Sequence, residues 1–131
     1  LEEDFNAWDW SRTSGPGATT ILYEGTRRDG EPFALALRAC DQGNIETFSP
    51  PPGVRLHNTR WWRIARNTRA DSGNARIVST LEDTPFYSRS LLEVELQGHS
   101  LPTIHESLSM NRFRSPWVHC LLPFRMPRVK R

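Results

Sequence analysis

In the stretch EPFALALRA, Phe33, Leu35, Leu37 and Ala39 alternate with Ala34, Ala36 and Arg38. That period of two predicts a half-buried β-strand, because successive strand side chains point to opposite faces. The run before it, ILYEGTRRDGEPF, is also strand-like, and Asp29-Gly30 within it is a hairpin signal. ACDQGNIETF repeats the device at Gln42, Gly43 and Asn44. SPPPGVRLHN, residues 49–58, then interrupts the pattern. Consecutive prolines cannot donate to a ladder, so this stretch reads as a stiff, polyproline-like connector.

TRWWRIARNT predicts a further strand, with Trp61, Arg63 and Ala65 on one face and Trp62, Ile64 and Arg66 on the other. ADSGNA is a polar turn. RIVSTLEDT and SRSLLEVELQG predict the next two strands, with Leu92, Val94 and Leu96 inward and Glu93 and Glu95 outward. The acid-rich stretch LEDTPFYSRSLL, residues 81–92, then reads as a strand end, a tight corner at Thr84-Pro85 and the start of a strand. LPTIHESLSM follows Gly98 and His99 as another strand, and in the opening FNAWDW Trp8 and Trp10 share one face while Asp9 takes the other. Alternation fails in NRFRSPWVHCLLPFRMPR, where a short carboxy-terminal helix is expected over residues 116–122 with Pro116 in its first turn. About eight short strands joined by turn signals predict an all-β protein, an antiparallel barrel or strongly curved sheet. Trp8, Trp10 and Phe33 are expected to be mostly buried.

Composition narrows the class without changing it. A chain of 131 residues supports one domain with one core. Seventeen basic against 15 acidic residues leave +2, which gives no nucleic-acid signal. Basic residues collect in FRMPRVKR, at Arg125, Arg128, Lys130 and Arg131, and read as a solvated tail. No apolar run is long enough to be a membrane-spanning helix. The chain opens at Leu1 without a methionine and reads as a piece of a longer protein. Cys40 and Cys120 are too few and too far apart for a metal knuckle, and fit a reducing bacterial cytoplasm.

The candidate chemistry is carried by carboxyls: Asp9, Glu24, Glu82, Asp83 and Glu106. A carboxyl inside an apolar barrel loses hydration, its pKa rises, and it can serve as a general acid near neutrality. An exposed or arginine-paired acid is the simpler reading for any single one. His105 and Glu106 are adjacent in a strand and point to opposite faces, so they form no dyad. Glu106 shares its face with Ile104, Leu108 and Met110, and His105 shares its own with Thr103, Ser107 and Ser109. Glu106 is therefore the favoured buried acid. No zinc or iron spacing, phosphate loop or nucleophile elbow is present. Five tryptophans suit either a barrel core or an apolar ligand wall able to stabilise a carbocation.

FNAWDWSR, ILYEGTRRDG, LALALR, FSPPP, TRWWRIARNTRAD, TLEDTPFYSRSLL, HESLSMNRFRSPWV and LPFRMPR, in this order, resemble the carboxy-terminal half of the carotenoid 1,2-hydratases, or hydroxyneurosporene synthases. The resemblance runs along essentially the whole chain. It implies cofactor-free addition of water to the terminal double bond of an acyclic carotenoid such as neurosporene or lycopene, giving a tertiary alcohol. It also implies two lipocalin-like, calycin-type β-barrels, of which residues 1–131 would be the second. The acid that protonates the alkene is then expected just before Leu1. Within the chain the catalytic candidates are Glu106, Asp83 and Glu82, and the substrate-binding candidates are Trp8, Trp10, Tyr87, Phe86 and Trp61. No metal and no cofactor are expected. The expected partners are the carotenoid, the amino-terminal barrel and, peripherally, the inner or photosynthetic membrane, with the protein in the bacterial cytoplasm. Two other readings compete. One is a non-catalytic lipocalin-like binder of a carotenoid or other long isoprenoid. The other, a nucleic-acid-binding β-domain, fits the arginines but not the charge.

Overall fold

A computed structural model describes residues 5–110, and the expected helix over 116–122 lies outside them. Nine strands run through this region: β1 (Phe5–Gly15), β2 (Ala18–Arg27), β3 (Pro32–Cys40), β4 (Ile45–Phe48), β5 (Gly53–Leu56), β6 (Arg66–Arg69), β7 (Ala75–Asp83), β8 (Tyr87–Leu96) and β9 (His99–Ser109). Seven form one antiparallel sheet in the order β4-β3-β2-β1-β9-β8-β7, and β5 and β6 pair separately. The edges of the large sheet, β4 and β7, do not pair with each other. The expectation of a barrel or curved sheet thus resolves to an all-β curved sheet that does not close.

The turns sit where the sequence placed them. Glu31 donates its N–H to Asp29 Oδ1 at 2.9 Å, and Gly30 takes φ 93°, a left-handed conformation that costs glycine little. Gln97 (φ 53°) and Gly98 (φ 79°) make the two-residue turn between β8 and β9, both left-handed as the twist of a tight hairpin requires. The corner between β7 and β8 closes through Thr84, whose N–H donates to the Tyr87 carbonyl at 2.9 Å and whose Oγ1 accepts from the Tyr87 N–H at 3.0 Å. The segment LEDTPFY is therefore a strand, a corner and a strand.

Two elements differ from expectation. The stretch over 49–58 does begin as a connector, but Gly53–Leu56 leaves it as a strand, paired with Arg66–Arg69. TRWWRIARNT is not a continuous strand; only its end belongs to β6. Before that, Thr59 and Ile64 close a loop on each other, the Thr59 N–H donating to the Ile64 carbonyl at 3.0 Å. The Ile64 N–H donates back to Thr59 Oγ1 at 2.9 Å. Arg63, at φ 56°, makes the left-handed step that an extended strand forbids.

An apolar core lies at one end of the concave side. It joins Leu92, Val94 and Leu96 of β8 to Leu56 of β5 and to Ala70, with Val54, Ala75, Ile77 and Leu101 packed around them. This agrees with the inward set read from SRSLLEVELQG. Elsewhere the two faces are reversed from the simple reading. In β3 it is Ala36 that is fully buried, whereas Leu35 of the apolar set is 47% exposed. Trp8, Trp10 and Phe33 are mostly but not fully buried, as expected. The concave side of a tightly curved sheet, crossed by the β5–β6 hairpin, has room for Ser, Thr and Ala, and the large rings take the convex side.

Candidate functional site

Strand register fixes what lines the concave side. Directly opposed residues of antiparallel strands share a face. Glu24, Asp9, Ser107 and Ser88 form one row across β2, β1, β9 and β8. The next row is Leu22, Ser11, His105 and Ser90, and the next Thr20, Thr13, Thr103 and Leu92. The interior therefore grades from charged, through hydroxyl-bearing, into the apolar core. Thr13 and Thr103 share a hydrogen bond of 2.7 Å within it.

Asp9 organises the charged end. Its Oδ1 accepts from the Ser107 hydroxyl and, at 3.0 Å, from the Asn67 N–H of β6, which crosses the sheet here. His105 Nε2 lies 2.7 Å from the Asn67 carbonyl oxygen and 3.3 Å from Asp9 Oδ1. A carbonyl only accepts, so Nε2 carries the proton and donates. Nδ1 of the fully buried His105 has no hydrogen-bond partner among the described residues. Glu24, beside Asp9, accepts from Arg69 Nε at 2.6 Å, and Arg69 Nη1 also donates to the Pro51 carbonyl at 3.0 Å. Burial raises the pKa of Glu24, with Arg69 opposing the shift. Arg69 thus ties the proline connector to the sheet, and the acid it pairs with is costly to ionise.

Arg66 fixes the loop before β6. Its guanidinium donates to the His57 carbonyl at 2.7 Å, the Asn58 carbonyl at 3.1 Å, Ser90 Oγ at 2.9 Å and Thr80 Oγ1 at 3.0 Å. Burial lowers its pKa, opposed by the charges of Asp83 and Asp9. Around Asp9, Glu24 and His105 the packing leaves no water-sized space. This end of the interior is a closed hydrogen-bonded network, shaped to hold β1, β2, β6 and β9 together.

The convex side has the opposite character. Rings of Trp8, Tyr23, Phe33 and Phe5 follow one another across β1, β2 and β3, with successive centroids 5.8, 5.4 and 5.0 Å apart. These are ordinary distances for attractive aromatic pairs. Gly25 permits the arrangement: a Cβ there would come within 3.0 Å of the Phe33 ring and 2.8 Å of the Trp8 Cα. Trp10, Glu106, Arg89 and Glu82 continue this face as one row across β1, β9, β8 and β7. The Tyr87 hydroxyl donates to Glu106 Oε1 at 3.0 Å, and Arg89 pairs with Glu82 at 3.0 Å. Burial first, then the Glu106 carboxylate, pushes the Tyr87 pKa well up, and burial raises that of Tyr23.

The sequence candidates therefore divide. Trp8, Trp10, Tyr87, Glu106 and Glu82 share the convex face. Phe86 is buried in the corner against Tyr87 and Leu108. Asp83 turns to the loop, where its Oδ2 accepts the Trp61 N–H at 2.8 Å, and Trp61 itself is 76% exposed. Glu106 does lie on the apolar face, but that face is the outer one and Glu106 is only half-buried. The buried carboxylate is Asp9, with His105 and Ser107 beside it. The signal that marks them was visible: Thr103, His105 and Ser107 alternate as Asp9, Ser11 and Thr13 do. Among the described residues no group of three or more His, Cys, Asp or Glu is placed to hold a metal ion.

Fold and site together define a curved antiparallel β domain with a hydrogen-bonded interior and an aromatic outer platform. Residues 1–131 match the family model of the carotenoid hydratase CrtC, and the chain belongs to that family. It is 55% identical over 130 residues to an acyclic carotenoid 1,2-hydratase of Thiocapsa roseopersicina, covering 98% of this chain and 32% of the relative. It is 40% identical over 131 residues to the acyclic carotenoid 1,2-hydratase of Rhodobacter capsulatus, covering 98% of this chain and 46% of that one. The one from Rubrivivax gelatinosus is 38% identical over 131 residues, with 98% and 32% covered. The chain thus spans between about a third and a half of the length of these curated relatives. No solved structure gives a significant match.

Proposed function

We propose that these residues form part of a hydratase that adds water to the terminal double bond of an acyclic carotenoid such as neurosporene or lycopene. The observation that carries the reading is the match of the entire chain to the carotenoid hydratase family, with a relative of that printed activity at 55% identity. In the reaction a proton goes to the terminal alkene carbon pair so that a tertiary carbocation forms. Water then adds to the cation and loses a proton, leaving a tertiary alcohol. Nothing is oxidised or reduced, so the chemistry needs no cofactor, only an acid, a held water and a dry wall.

The wall is the part this chain supplies. The polyene lies along the Trp8, Tyr23 and Phe33 rings, whose π faces favour both an extended apolar chain and a nearby cation. The remainder of the protein, including the amino-terminal barrel and the proton-donating acid, covers the platform and keeps water from the cation. Residues 1–131 then act as one folded unit of the enzyme, on the cytoplasmic side of a bacterial membrane. The aromatic row supports this placement over an interior one, because the space around Asp9 and His105 is filled.

The test is incubation of the complete protein with lycopene or neurosporene in isotopically labelled water, followed by extraction and chromatography. Labelled tertiary alcohol is the expected product. Recovery of unchanged polyene bound to the protein would favour the non-catalytic binder.

A further inference from the structure

The loop between β5 and β6 exposes a tryptophan on a rigid support. Trp61 is 76% exposed, the most open of the large apolar side chains among the described residues. Its backbone is held: the Trp61 N–H donates to Asp83 Oδ2 at 2.8 Å, and Thr59 and Ile64 close the loop on themselves. Buried Arg66 grips the loop from below through the His57 and Asn58 carbonyls. Ile64, 2% exposed, plugs it into the interior. A left-handed φ of 56° at Arg63 shows a backbone fixed in a sparsely populated conformation. So much anchoring beneath an indole left in solvent is a presentation device.

The hollow beside Trp61 is lined by arginines and, among the described residues, by no acid. Arg55, His57, Arg60 and Arg63, all exposed, rim an open hollow of about 670 Å³ beside it. The Arg60 guanidinium lies 5.5 Å from the Trp61 ring centroid. No acidic residue stands anywhere between Glu46 and Asp71 in the chain, while Arg55, Arg60, Arg63, Arg66 and Arg69 do. Asp83, the acid that reaches the loop from β7, is engaged by the Trp61 N–H.

We propose that this loop is a membrane-docking element that seats Trp61 in the headgroup region of an anionic lipid bilayer, with Arg55, Arg60 and Arg63 against lipid phosphates. Indole, apolar in body and polar at its N–H, partitions to that depth, and flanking arginines extend their guanidinium groups to the phosphates. Basic residues near an anionic leaflet add attraction that salt screens. The proposal stands on the loop's geometry and charge and is independent of the hydration reaction, and its readout is lipid binding. It assigns Trp61 to the membrane and not to the substrate wall.

The experiment is co-sedimentation of the complete protein with phosphatidylcholine vesicles with and without phosphatidylglycerol, paired with quenching of tryptophan fluorescence by brominated lipid. The expected result is binding to the anionic vesicles that weakens with salt. Trp61→Ser should lower partitioning about tenfold. Arg55→Gln with Arg60→Gln should lower it by a similar factor or more. Trp61→Tyr should restore most of the loss, and quenching should fall selectively when Trp61 is replaced. All variants should keep the unaltered circular dichroism, since these side chains are exposed. Unchanged vesicle binding in Trp61→Ser would overturn the proposal. So would equal binding to neutral vesicles, or a single-stranded oligonucleotide that quenches Trp61 and displaces the protein from lipid.

Discussion

Replacing Asp9 by alanine tests whether the polar interior is a stabilising network. Asp9 Oδ1 accepts two hydrogen bonds from groups far apart in sequence, the Ser107 hydroxyl and the Asn67 N–H, and lies 3.3 Å from His105 Nε2. In Asp9→Ala both donors stay buried without their acceptor, at about 1–3 kcal/mol each. The expected loss is therefore about 2–6 kcal/mol, a large share of the roughly 5–15 kcal/mol that holds a typical domain. Asp9→Asn keeps an amide oxygen for both donors and gives up the charge, which roughly halves the strength of each bond, so about 1–2 kcal/mol is expected. Urea denaturation followed by circular dichroism gives the global value, and amide hydrogen exchange at Asn67 gives the local one. An Asp9→Ala protein within about 0.5 kcal/mol of the unaltered one, the scatter of neutral surface changes, would refute the reasoning. So would Asp9→Asn being the more damaging change.

The other predictions follow from single contacts. Gly25→Ala pushes a Cβ into the Ala7 backbone, the Trp8 Cα and the Phe33 ring, and should cost about 1–3 kcal/mol in a urea melt while disturbing the near-ultraviolet aromatic signal. Glu24 has a folded pKa raised above its ordinary 4.5, so its contribution to stability is fully present below that value and is lost as pH rises through the folded pKa. Stability measured against pH should accordingly decline less steeply above 4.5 in Glu24→Gln than in the unaltered protein. Tyr87 should add no phenolate absorbance as folded protein passes its ordinary 10.0, judged by difference against Tyr87→Phe. Its contribution is present below 10.0 and lost as pH rises toward the raised folded value.

Alternation along the chain made the strands, most turns and the Thr84-Pro85 corner legible, because period two and turn chemistry are local properties. The inward set Leu92, Val94 and Leu96 was legible too, since its neighbours Glu93 and Glu95 are charged. In β1, β2 and β3 alternation could not say which face is inside. There the concave side is lined by Asp9, Ser11, Thr13 and Thr20, whose burial depends on partners from β6 and β9, far off in sequence. Glu106 was favoured over Asp9 by an assumption that the apolar face is the inner one. TRWWRIARNT alternates like a strand, yet the contact of Ile64 with Thr59 and the grip of Arg66 on the loop decide otherwise. Tertiary hydrogen bonds overrode local pattern at that point.

The most direct test of the aromatic platform as the substrate wall is steady-state hydration of lycopene or neurosporene by the complete protein carrying Trp8→Ala and Tyr23→Ala together. Removing two rings of the row should take away binding to the polyene and lower kcat/KM at least about tenfold, mostly through KM. Ile45→Ala on the exposed edge strand β4, 73% exposed, serves as the control and should leave the rate unchanged. Tertiary alcohol formed at unaltered kcat/KM by the folded double variant would contradict the claim and place the substrate elsewhere.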